Sequence, residues 1–149
     1  MKKNVSAIDV AKLFLCWANN DGDLITNLKI QKLLYYAQAW HLVYFRKPLF
    51  IENVEAWDFG PVIHEAYNHF KKFGSRSIRY KETGEEKSGF NKNQLMFLKD
   101  LYDVFIKYAA HELVNMTHNE EPWRKAYKST DKIISHDSMK SFYSNVLES

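Results

Sequence analysis

From Leu33 to Phe45 the chain carries thirteen consecutive residues without a formally charged side chain, and no other feature constrains the fold as much. With Thr26 or Asn27 as its cap, the helical pattern runs to about Phe45. At about 100° per residue, Ile30, Leu33, Leu34, Ala37, Trp40 and Tyr44 fall on one broad face, and Leu28, Tyr35, Ala39 and Leu42 on the other. A helix that is apolar nearly all round needs cover on both sides, so the rest of the chain must wrap around it. The run is too short to cross a bilayer and contains Gln38 and His41, so it reads as a central buried helix. Its charged residues, Lys29 and Lys32, lie near its N-terminal end, on the flank between the two apolar faces, where helix and solvent are expected to meet.

The material available for wrapping is helical too. Five glycines and three prolines in 149 residues are too few for a turn-rich barrel or sandwich. The length suits one domain spanning residues 1–149, large enough to need no disulfide or metal staple. The pattern predicts a mainly α, compact single-domain bundle of about six to seven helices. Ser6 and Asp9 open the first helix, which ends at Asn19–Gly22. Pro48 ends the central helix. A small β-hairpin is a candidate at Leu49-Phe50 and Glu55–Trp57, with Glu52-Asn53 at its turn. Gly60-Pro61 is expected to open a third helix, with proline at the first helical position, and Gly74 to stop it. Residues 75–92 show no period and read as a long loop, with a short strand at Ile78–Tyr80. Further helices are expected from Asn93, from Ala110 to Thr117 and from Pro122, and a terminal amphipathic helix over 137–147.

Several chemistries are excluded by spacing. His64 and His69 stand at i and i+5, about 140° apart on a helix, so they cannot share a metal as an i, i+4 pair does. His111 and His118 are seven apart and have no cysteine near them. The five glycines are scattered, no G-x-S-x-G surrounds any serine, and no catalytic constellation emerges. The lone Cys16 sits in an apolar stretch and reads as a packed thiol. Asp9 and Lys12 interrupt any signal-peptide core behind Lys2 and Lys3, so a cytoplasmic protein is expected. Lys71, Lys72, Arg76, Arg79 and Lys81 form a basic stretch, but Glu82, Glu85 and Glu86 follow at once, and the formal net charge is only +3. What remains is a surplus of aromatic residues, 15% of the chain, which either fill the core or meet a partner.

Three segments in series, residues 26–38 (TNLKIQKLLYYAQ), 56–62 (AWDFGPV) and 113–118 (LVNMTH) with Pro122-Trp123 behind it, together resemble the Panacea antitoxin domain. That family includes the SocA-like antitoxins and the GepA-like phage-associated proteins. One departure is Met116, where the family usually has leucine before the Thr-His pair. The resemblance implies a mainly helical fold and no catalysis; no cofactor and no metal are expected. It implies the antitoxin half of a toxin–antitoxin pair, which binds and neutralises a cognate protein toxin by direct contact. An alternative is an adaptor delivering the toxin to a cytoplasmic protease; a second is a nucleic-acid-binding regulator using the 71–81 stretch. Neither a membrane nor nucleic acid is expected as a partner of this chain alone. Within the matching segments Lys29, Gln31, Lys32, Tyr35, Tyr36 and His118 carry polar tips and are the expected toxin contacts. Trp57, Gly60, Pro61, Thr117, Pro122 and Trp123 are expected to be structural or binding residues of the motif.

Overall fold

A computed structural model describes residues 4–148 of the chain; Lys2 and Lys3 lie outside them. Helix α2 (Asn27–Phe45) is the central element, and every residue from Ile30 to Ala39 is buried. Thr26 caps it by accepting from the Lys29 N–H, and Arg46 ends it in the left-handed conformation, two residues before Pro48. Leu28 and Tyr44, near its two ends, stay exposed. Helix α1 (Ala7–Asp21) precedes it, opened by a reciprocal Ser6–Asp9 capping box and closed by Gly22 at a φ of 76°.

Of the two strands expected after α2, Glu55–Trp57 forms and Leu49-Phe50 does not. Leu49 and Phe50 are buried but lie outside any strand. Their backbone N–H groups donate to Gln38 Oε1, and Gln38 Nε2 donates back to the Phe50 carbonyl at 2.7 Å. A side chain of α2 therefore takes the place of a neighbouring strand. The hairpin lies further on, as β1 (Val54–Trp57) and β2 (Gly60–Val62), with Trp57 paired to Gly60 and the turn at Asp58-Phe59. Gly60 and Pro61 thus belong to a strand. Helix α3 (His64–Phe70) starts after them and runs into a 3-10 turn at Lys71–Phe73. The Gly60 φ of 103° is incompatible with a first helical turn, which explains the difference.

Residues 75–91 form the long irregular segment, one residue shorter than expected because Lys92 already belongs to α4 (Lys92–Phe105). The short strand expected at Ile78–Tyr80 reduces to one isolated bridge between Thr26 and Ser77. Then follow α5 (Ala110–His118), α6 (Glu121–Tyr127), β3 (Ile133–Ile134) and α7 (His136–Glu148). β3 completes an antiparallel three-stranded sheet in the order β2-β1-β3. The bundle expectation holds, with seven α-helices among the described residues.

Helix α7 supplies much of the cover that α2 requires. Tyr143 meets Tyr35, Tyr36 and Trp40 edge-on or tilted, with ring centroids 5.4–6.1 Å apart. On another side Tyr36 stacks flat on Phe105 of α4 at 4.4 Å. Such aromatic pairs add about 0.5–1.5 kcal/mol each beyond their buried area. Most of the aromatic surplus is accounted for as core.

Candidate functional site

The three motif segments, nearly a hundred residues apart at their extremes, meet at one point. At Gly60 the strand passes so close to its neighbours that a Cβ there would lie 2.8 Å from Lys32 Cε and 2.9 Å from Thr117 Oγ1. The left-handed backbone and this close approach both require glycine at position 60. Trp123 of α6 donates from Nε1 to the Trp57 carbonyl at 2.9 Å. It is sandwiched by His118 at 4.0 Å and Tyr127 at 4.7 Å, both stacked. Gln31 accepts from the Ile63 N–H at 2.9 Å and donates to Asn27, whose side chain donates to the Tyr67 carbonyl. α2, the hairpin and α5–α6 are thus locked together by backbone and amide bonds.

Of the residues expected at the surface, four are buried. Gln31, Lys32, Tyr35 and Tyr36 are each about 1% exposed or less. On the helical wheel they flank the apolar faces, but α7 covers the tyrosines and the hairpin with α5 closes over Lys32. Tyr36 donates to Glu120 Oε1 at 2.7 Å, Tyr143 donates to the same oxygen at 2.8 Å, and Tyr35 and Tyr143 share a hydrogen bond. Burial raises the pKa of Glu120, partly offset by the two hydroxyl donors, and burial beside that carboxylate raises Tyr36. Lys29 is half-buried, and its ammonium donates to the Ile106 carbonyl at 2.6 Å, closing the C-terminal end of α4. His118 is half-buried, its Nε2 unpaired. Thr117 is buried and donates to the Val114 carbonyl, Pro61 and Pro122 are buried, and Trp57 and Trp123 are half-buried.

Lys32 is the anomaly. Its side chain is fully buried, yet Nζ has no hydrogen-bond partner among the described residues. Desolvation lowers its pKa from 10.5 to about 7. Buried ammonium groups are normally paired. The Lys32 side chain lines a cleft of about 760 Å³, a volume typical of small-molecule sites. Trp57, Phe59, Tyr67 and Tyr127 form its aromatic walls, and Lys71 and Lys132 add two exposed cations. The Lys132 ammonium lies 4.3 Å from the Tyr127 ring centroid, and the Tyr127 hydroxyl donates to Asp58. Sequence reasoning named Lys32, Trp57 and Gly60 but missed Phe59, Tyr67, Tyr127 and Lys132. None of these carries a periodic or spacing signal, and only the pairing of β1 with β2 and β3 brings them together.

Another groove, about 700 Å³, is walled by residues of α2 and α4, among them Trp40, Phe97 and Val104; no charged group is buried in its lining. Among the described residues no helix is long and apolar enough to cross a membrane, and no cluster of three metal-ligating side chains occurs.

The family model for the SocA-like antitoxin, Panacea domain, matches residues 30–124, a span that reaches into all three convergent segments. Antitoxin SocA of Caulobacter vibrioides (strain NA1000 / CB15N) is 41% identical over 76 residues, which are 51% of this chain and 40% of that protein. The match therefore spans less than half the length of that relative. No solved structure gives a significant match.

Proposed function

The chain belongs to the SocA-like antitoxin family with a Panacea domain, and from that premise we propose that it neutralises a protein toxin by direct contact, through the rim of the Lys32 cleft. The observation that carries this reading is the hairpin tip. Phe59 is 68% exposed at the turn between β1 and β2, and Leu28 at the start of α2, lining the same cleft, is 39% exposed. Exposed aromatic and aliphatic side chains grouped beside a concave, partly basic surface are the usual composition of an interaction hot spot. The Gly60–Trp57 pairing holds the tip rigidly, so little ordering entropy opposes association. Lys29 and His118, which keep some solvent exposure, are assigned to the periphery of the contact. Gln31, Tyr35 and Tyr36 support the surface from behind.

The test is growth rescue of cells expressing the cognate toxin, to be sought in the reading frame next to this chain's gene. Phe59→Ala and Leu28→Ser are expected to leave thermal melting within a degree or two of the unsubstituted protein and to weaken rescue. Full rescue by the double variant would remove this rim from the interface. Toxin half-life, measured with and without the chain, separates occlusion from delivery to a protease.

A further inference from the structure

We propose that the Lys32 cleft is a ligand site for a small phosphate-bearing molecule with a planar ring, the ring lying between the aromatic walls and the phosphate reaching the Lys32 ammonium. The inference goes beyond toxin binding and does not depend on it.

Lys32 is the first reason. Its side chain lines the cleft, its ammonium is enclosed and unpaired, and a buried cation without a counter-charge is costly unless an anion completes it. Gly60 is the second. Because position 60 lacks a Cβ, the backbone and the Lys32 stem lie in direct contact, and the ammonium is held in place by its surroundings and not by an acidic partner. The balance of charge is the third. Lys32, Lys71 and Lys132 line the cleft against one carboxylate, Asp58, which already accepts from Tyr127. Lysines recognise phosphate as point charges, and several of them suit a dianion better than a single carboxylate. The walls are the fourth. A planar ring stacks on Trp57 or Tyr67 without needing a particular pattern of edge hydrogen bonds. A partner's acidic side chain would engage one cation and leave most of the 760 Å³ empty, so a free ligand fits the volume better.

The four ribonucleoside monophosphates serve as probes, with adenosine and inorganic phosphate as partial ligands, on the full chain at low salt. Tryptophan fluorescence and thermal melting are the readouts. At least one monophosphate is expected to bind with a Kd below about 1 mM, to raise the melting temperature and to quench fluorescence. Adenosine and phosphate alone are each expected to bind at least about tenfold more weakly, since each keeps half the contacts. Lys32→Met should weaken the monophosphate at least about tenfold while circular dichroism stays unchanged; Lys71→Met should weaken it less. Three results overturn the proposal: no response to any of the four probes at about 10 mM, equal binding by Lys32→Met, or equal binding of a bare nucleoside or bare phosphate.

Discussion

Replacing Lys32 by methionine keeps the length of the side chain and removes its charge, and the structure predicts a protein that melts higher. Burial holds the Lys32 pKa at about 7, against an ordinary 10.5. Between those values the unfolded chain carries a proton that the folded chain has lost. Unfolding therefore takes up a proton, and stability rises with pH across the window. Below about pH 7 both states are charged, and the folded state bears the whole desolvation penalty. The gap between the two pKa values corresponds to about 5 kcal/mol. From pH 7 to pH 8.5 the unsubstituted protein should gain about 1–2 kcal/mol from this group alone. For a domain of this size that is a rise of about 3–6 °C in melting temperature. Lys32→Met lacks that rise and should melt above the unsubstituted protein at pH 7, by a margin that narrows as pH increases. All other titrating groups cancel in the difference between the two curves. The assay is a pair of thermal melts by circular dichroism at pH 6, 7, 8 and 8.5. Parallel curves, or a methionine variant less stable at pH 7, would refute the reasoning, because either means that Lys32 is paired or solvated in the folded state.

Three further predictions follow from the same region. Gly60→Ala should destabilise by about 2 kcal/mol or more, because a left-handed backbone and two contacts under 3 Å both oppose a methyl group; urea unfolding measures it. Tyr36→Phe should cost about 1.5–3 kcal/mol, since it removes a hydrogen bond of 2.7 Å to the Glu120 carboxylate while leaving the ring stack on Phe105; a loss below about 0.5 kcal/mol would mean that Tyr143 alone satisfies Glu120. Trp123→Phe should cost about 1–2 kcal/mol in the same assay, through the lost bond to the Trp57 carbonyl and the smaller stack between His118 and Tyr127.

The helices were legible in the sequence because their signals are local. Ser6 and Thr26 cap where they were expected to, Gly22 and Gly74 end their turns, and the two-sided apolar pattern of residues 28–44 correctly demanded a central helix. The sheet was legible only at Glu55–Trp57, because its other signals are not local. Gly60-Pro61 has the composition of a helix start, and only pairing with Val54–Trp57 makes it a strand. Leu49-Phe50 has the composition of a strand, and only the Gln38 amide explains why it is not one. The same limit applies to the site. A wheel reports which residues share a flank of α2, but not which element covers that flank, so Lys32 and Tyr36 were placed at the surface when both are enclosed. The identity of the motif residues was readable, whereas their convergence on Lys32 depends on the long-range contacts of Gly60 with Lys32 and Thr117, which no spacing encodes.

The distance along the chain between the parts of this site sets when it comes into being. Lys32 leaves the ribosome early, yet Thr117, which packs beside it at Gly60, and Tyr127 and Lys132, which line the same cleft, are made about 85 to 100 residues later, or roughly four to twenty seconds at ordinary elongation rates. Tyr143, which shields Tyr35 and Tyr36, comes later still. A chain that ends before α6 therefore lacks the Tyr127 and Lys132 wall of the cleft, and one that ends before α7 leaves Tyr35 and Tyr36 without their Tyr143 cover. The binding surface is thus completed only near the end of synthesis, and loss of the segment from Glu121 onward should remove one of its walls.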